Sequence, residues 1–249
     1  MTDKILDVTG LEKHFGGIYV THDLDLEIHK GAQEAIIGPN GAGKSTLFNL
    51  LTGYHRPEAG TIVFDGVDVT RWEPHRIARA GVSRAFQISN IFTRLTVFEN
   101  VRTAVHARTG KARNIFARAD AIGTAETEAI LERCQLADKG AHAAGELAQG
   151  HKKKLELAIA LAGKPKLLLL DEPTAGMSLD ETKETMRLVD RLNAELGLSV
   201  LFTEHDMSVV FNHAQRVSLL HRGEIIVQGT PEEVRRDKAA QRIYLGEQH

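Results

Sequence analysis

The chain has 249 residues, 42% of them apolar and 26% charged, with a formal net charge of −2. That length suits one large domain with ample core, the composition excludes a disordered chain, and the near-neutral balance gives no electrostatic footprint for nucleic acid, so no nucleic-acid partner is expected. The single cysteine, Cys134, excludes an internal disulfide and a cysteine-based zinc site, and beside Ile130 and Leu131 in a helical-looking run it reads as a small core residue.

The opening MTDKILDVTGLEK lacks an apolar h-region, so no signal peptide is expected. No apolar stretch approaches the ~20 residues that a membrane helix needs. Residues 4–30 alternate apolar and polar in short runs and read as strands. QEAIIGPNGAGKSTLFNLLTG reads as a strand, a Gly-rich turn and a helix ending at Gly53. TIVFDGVDV alternates around Asp65-Gly66, a two-residue hairpin signal. From residue 94 to about 160 the chain turns Ala-, Glu- and Arg-rich and helical by pattern, which places a helical subdomain there. KLLLLDEP is a continuous apolar run suited to a strand buried on both faces of a parallel sheet. Residues 181–196 place Met186, Val189, Leu192 and Leu196 on one helical face. SVLFTEH is a second buried strand, and RVSLLHRGEIIVQG is a hairpin around Arg222-Gly223. Alternating strands and helices imply an α/β fold with a parallel sheet.

The chemistry begins with Gly38-Pro39-Asn40-Gly41-Ala42-Gly43-Lys44-Ser45, a full G-x-x-x-x-G-K-[ST] match between a strand and a helix. Glycines let successive N–H groups converge on phosphate oxygens, and the helix start, through Thr46, adds positive potential. Lys44 is expected to reach the β- and γ-phosphates, and Ser45 to ligate Mg²⁺. Asp171, at the end of the LLLL strand, is expected to face this loop and hold the metal through water. Glu172 is placed to orient and deprotonate the attacking water. As adjacent acids on a surface turn the pair would mean nothing, but four leucines before them argue against a surface turn.

The order of P-loop, Gln87, the loop Leu147-Ala148-Gln149-Gly150-His151, Asp171-Glu172 and His205 resembles the ATP-binding subunits of ABC transporters over essentially the whole chain. The resemblance implies a P-loop NTPase with a RecA-like parallel sheet, an antiparallel β subdomain and a helical subdomain. The core would comprise residues 1–93 and 161–249, and residues 94–160 would carry the signature loop. It further implies that Phe15 stacks on adenine, that Gln87 contacts the metal and the membrane partner, and that His205 contacts the γ-phosphate. Residues 147–151 would serve the ATP of a second ABC ATPase subunit, identical or different. No Asn-Lys-x-Asp guanine reader occurs, which favours adenine.

FGGIYV, the run from NIFTRLTVFENV, EPTAGMSLDET, TEHDMSVVF and IYLGEQH are similar to the ATPases of branched-chain amino acid importers. Such an ATPase uses ATP and Mg²⁺, lies peripherally on the cytoplasmic face of the inner membrane, and works with two permease subunits and, indirectly, a solute-binding protein. The alternatives are a urea- or amide-type importer, a soluble non-transport ABC ATPase, and a cassette that binds ATP but barely hydrolyses it.

The signature departs from its pattern. Ala148 stands for Ser and His151 for Gln, while Gly150 is kept. The lost hydroxyl removes a hydrogen bond to a charged group, roughly 1.5–3 kcal/mol. Lys152, Lys153 and Lys154 read either as a solvated face or as added positive charge near the nucleotide. Ser178-Leu179-Asp180-Glu181 fits a capping box, with a subunit contact as a second role for Ser178.

Overall fold

The computed structural model describes residues 4–85, 91–109 and 123–245. Strands β1 (Lys4–Phe15) and β2 (Ile18–His29) form a long antiparallel hairpin, and β1 pairs on its other edge with β4 (Ala59–Phe64). With β5 (Val67–Asp68) they make a four-stranded antiparallel sheet. The turn between β4 and β5 is the expected two-residue one, with Phe64 opposite Val67 and positive φ at Asp65 (47°) and Gly66 (80°). Both angles positive is the turn geometry that matches strand twist.

The second sheet has the order β10-β9-β3-β8-β7-β6. It is built from β3 (Gln33–Ile37), β6 (Val82–Ala85), β7 (Leu167–Asp171), β8 (Ser199–Thr203), β9 (Arg216–His221) and β10 (Glu224–Gly229). The strands from β9 to β6 run parallel, and β10 returns antiparallel through Arg222-Gly223. Every residue of β3, β7 and β8 is buried, because both faces of the sheet are covered. Leu167, Leu169, Leu201 and Ile36 point towards α1 (Lys44–Leu51) and the antiparallel sheet. The alternate residues Leu168, Leu170, Val200 and Phe202 belong to the opposite core.

That opposite core is roofed by helices. After α2 (Pro74–Ala80) come α3 (Val97–Thr109), α4 (Thr124–Arg133) and α5 (Gln149–Ala162), which pack on one another. Cys134 closes α4 and is fully buried, as its setting suggested. In α6 (Leu179–Leu196), Met186, Val189 and Leu192 are buried, but Leu196 is 39% exposed, because the helix outruns the core at its last residue. Helices α7 (Met207–His213), α8 (Pro231–Arg236) and α9 (Lys238–Leu245) complete the fold. No helix among the described residues is long and apolar enough to cross a membrane.

Candidate active site

The parallel sheet brings three loops to one edge, because β3, β8 and β7 are neighbours running in the same direction. Register aligns Ile36 and Asp171 with Thr203 across the three strands. The loop after β3 is residues 38–43, leading into α1. Two of its glycines are demanded by packing. A Cβ on Gly38 would lie 2.1 Å from the Leu220 carbonyl oxygen, and one on Gly43 would lie 2.6 Å from that of Val20. Gly43 also opens α1 in a left-handed conformation (φ 110°), which side chains strongly disfavour. The first turn of α1 contains no acid of its own to offset its N-terminal positive potential.

Lys44 is buried and folds back over the loop, its Nζ donating to the carbonyl oxygens of Gly38 (2.5 Å) and Pro39 (3.1 Å). Burial pushes its ammonium below the usual lysine range, while the nearby Glu172 and Asp171 pull the other way. The basic loop and the acidic strand end therefore share one electrostatic site. Ser45, Asn40 and Gly41 are exposed at the rim; Ala42 is buried, Thr46 half-buried, and Pro39 partly covered.

Asp171 is 5% exposed, and both of its oxygens are engaged. Oδ1 accepts from Thr203 Oγ1 (2.8 Å) and Oδ2 from Arg84 Nη2 (2.6 Å). Arg84 stands on β6 and also donates to Asn49 Oδ1 on α1 (2.6 Å), with its guanidinium 5.5 Å from the Phe48 ring centre. One guanidinium thus ties the P-loop helix to the acidic strand. Sequence reasoning missed Arg84. Its position in GVSRAF gives no local signal, since the partners come from two distant elements.

Glu172 has a left-handed backbone (φ 52°), held by its N–H against the Thr203 carbonyl oxygen (3.1 Å) and Oγ1 (3.2 Å). Its Oε1 lies 2.7 Å from His205 Nε2. The two residues singled out for chemistry, 33 positions apart, therefore meet directly. Glu204, next to His205, carried no signal of its own in the sequence. It is in fact buried, and its Oε1 accepts from the N–H (2.8 Å) and Oγ1 (2.7 Å) of Thr174. Asp206 caps α7 by accepting from Ser208, whose hydroxyl and N–H hold its carboxyl below the usual range.

Phe15 lies 45% exposed at the end of β1, edge-on to His55 with ring centres 5.3 Å apart and Lys13 Nζ 5.1 Å from its centre. Gln87 lies outside the described residues. Leu147 is buried; Ala148 and Gln149 are exposed and Gly150 and His151 half-buried at the start of α5. Ala148 occupies the N-cap position with no side-chain cap bond. A Cβ on Gly150 would stand 3.1 Å from Glu181 Oε1, so this loop abuts the beginning of α6.

Of the three lysines Lys152 is partly exposed, but Lys153 and Lys154 do not belong to a solvated face. Lys153 and Lys154 are 7% and 6% exposed, and Lys154 Nζ donates to Gln135 Oε1 (3.0 Å) and Glu184 Oε1 (2.5 Å). The helix turns these two residues inward, where their stems pack and their heads find acceptors. The capping box at Ser178 and Glu181 is formed as its spacing predicts.

Residues 21–175 match the ABC transporter family model, and residues 224–249 match a model described as branched-chain amino acid ATP-binding cassette transporter. The chain is 36% identical to the high-affinity branched-chain amino acid transport ATP-binding protein BraF of Pseudomonas aeruginosa, over 99% of this chain and 100% of that protein. Its identity to the LivG protein of the same description from Escherichia coli (strain K12) is also 36%, again over 99% and 100%. Among solved structures it is similar to the ADP conformation of MJ1267, an ATP-binding cassette of an ABC transporter. There the TM-score is 0.87 at 29% identity, covering 98% of this chain and 100% of that one.

Proposed function

The chain belongs to the ATP-binding proteins of ABC transporters, and from that premise we propose that it is the ATP-hydrolysing subunit of an importer for branched-chain or related amino acids. The observation that carries the reading is the convergence of Lys44, Asp171, Glu172 and His205 at one sheet edge, beside a helix start free of acids. The match of residues 224–249 supports the choice of solute.

In this reading the loop of residues 38–43, with Lys44, Ser45 and Thr46, cradles the phosphates of ATP, and Phe15 stacks on the adenine. Lys44 exchanges its bonds to Gly38 and Pro39 for phosphate oxygens. Mg²⁺ offsets phosphate charge when bound. Ser45, Asp171 through water, and Gln87 are the oxygen donors offered to it, and such hard donors fit it. Among the described residues no three His, Cys, Asp or Glu side chains form a metal cage. Glu172 orients the attacking water and takes its proton. With a proton on Nε2, His205 donates to Glu172 and holds the carboxylate in place. The chemistry is positioning and charge stabilisation.

Residues 94–160 act as a helical subdomain carrying residues 147–151 to the ATP of a second ABC subunit, identical or different. Two permeases complete the transporter, with a solute-binding protein delivering cargo and this chain peripheral on the cytoplasmic face of the membrane. A groove of about 690 Å³ at the end of β6, lined by Tyr54, Ser83, Arg84, Ala85 and Glu156, supports a permease contact there.

The test is Glu172→Gln in the native organism. Uptake of labelled leucine, isoleucine or valine should be lost, while the purified complex still binds ATP. Unchanged uptake of all three would reject the solute class, and wild-type hydrolysis would reject Glu172 as the base.

A further inference from the structure

The Glu172–His205 contact belongs to a closed ring. From Glu172 the chain runs through Pro173 to Thr174. Thr174 donates twice to Glu204 Oε1, Glu204 is bonded covalently to His205, and His205 Nε2 meets Glu172 Oε1. The N–H of His205 also lies 3.3 Å from Glu204 Oε2. Three donors thus converge on one buried carboxylate, from the loop after β7 and the loop after β8.

We propose that Glu204 is a positioning residue for hydrolysis: it locks the Thr174 loop to the His205 loop and so fixes the Glu172–His205 contact. The proposal rests on the reading of Glu172 as the base. Glu204 itself touches neither phosphate nor water in this scheme, because its oxygens are turned into the protein.

Three features require an acid here. All three partners are donors, and a carboxylate is the side chain that only accepts. Charged acceptors make the stronger bonds, and burial strengthens them further. The backbone of Glu172 also needs outside support. Its left-handed conformation is costly for a side-chain-bearing residue and persists only where surroundings over-determine it. Thr203 holds the Glu172 N–H on one side of that turn. Glu204 holds Thr174, two residues on, at the other.

The chemistry of the amide makes the test asymmetric. In Glu204→Gln the amide oxygen can still accept both Thr174 bonds, but its NH₂ then faces the N–H of His205, donor against donor. That variant should loosen His205 while leaving the nucleotide cradle alone. Thr174→Val removes one donor and keeps the acid.

The purified full-length chain, as wild type, Glu204→Gln, Thr174→Val and the double variant, is assayed for kcat and KM with Mg-ATP. ATP affinity and stoichiometry are measured by calorimetry. Glu204→Gln should lower kcat about 10- to 100-fold, the scale of one lost bond to a charged group, with ATP affinity within about twofold and full stoichiometry. Thr174→Val should lower kcat about 3- to 10-fold. The double variant should be little worse than Glu204→Gln, because members of one ring do not add. A Glu204→Gln rate within about threefold of wild type overturns the proposal, as does a kcat loss matched by lost ATP affinity. If Glu204→Gln binds ATP substoichiometrically, Thr174→Val decides, and an unchanged kcat there overturns the proposal. Glu172→Gln run alongside separates two failures. Turnover abolished there but intact in Glu204→Gln sinks this proposal alone; turnover intact in Glu172→Gln sinks the assignment of the base and this proposal with it.

Discussion

Restoring the missing hydroxyl, Ala148→Ser, should have two effects that compete for the same oxygen. Ala148 is exposed, so a serine meets no clash. Its backbone (φ −61°, ψ 158°) matches that of Ser178 (−67°, 163°) and Thr230 (−64°, 158°), whose side chains already cap α6 and α8. A serine at 148 should therefore cap α5, worth about 1 kcal/mol. For a domain of this size that is a rise of about 2–4 °C in Tm without nucleotide. The same hydroxyl bonds the γ-phosphate of the partner subunit's ATP in the reading above, a bond of about 1.5–3 kcal/mol, but reaching it means giving up the cap. The net gain is then about 0.5–2 kcal/mol, or roughly 2- to 30-fold in rate at that site. Differential scanning calorimetry of the nucleotide-free chain measures the first effect. Steady-state ATPase of the assembled transporter, with this chain's own Glu172 blocked, measures the second. An unchanged Tm would refute the cap, and an unchanged rate would refute the role of residue 148 in the partner's site.

Lys44→Ala should weaken ATP binding at least about 100-fold, since two or more bonds from one charged group are lost at once. Near-normal affinity in a calorimetric titration would reject the cradle. Arg84→Met removes the guanidinium from Asp171 and Asn49 and leaves a buried carboxylate half-satisfied. It should cost about 3–5 kcal/mol in urea unfolding, and a cost below about 1 kcal/mol would show that the bridge is dispensable. Burial pushes the Cys134 thiol up to about 12 from 9.0. The folded chain therefore keeps a proton that the unfolded chain releases above its own value, so this group's contribution to stability falls as pH rises from about 9 towards 12. Iodoacetamide should label Cys134 only as fast as the protein unfolds; rapid labelling of the native chain at pH 8 would refute the burial.

What the sequence made legible was local or strictly ordered. The P-loop is contiguous, the β7 leucines announce a strand covered on both faces, and the turns at Asp65-Gly66 and Arg222-Gly223 are dictated by two residues each. The capping box at Ser178 spans one helical turn. What stayed hidden depends on side-by-side strands. Arg84 matters because β6 lies beside β7, and Glu204 because the ends of β7 and β8 adjoin. The burial of Lys153 and Lys154 stayed hidden for a related reason. Charge run alone says "solvent", but Gln135 and Glu184, which receive the Lys154 ammonium, come from elements far along the chain.

The left-handed backbone at Glu172 sets the needs of folding against those of turnover. Gly, and to a lesser degree Asn, sit in that conformation at lower cost than a glutamate. Glu172→Gly should thus relax the turn, offset in part by the lost contact with His205. A library of variants selected purely for surviving heat would not defend glutamate at this position; one selected for growth on the transported solute would. The residue under greatest torsional protest in this loop is then the one whose identity only the living cell, and not the test tube of folded protein, can enforce.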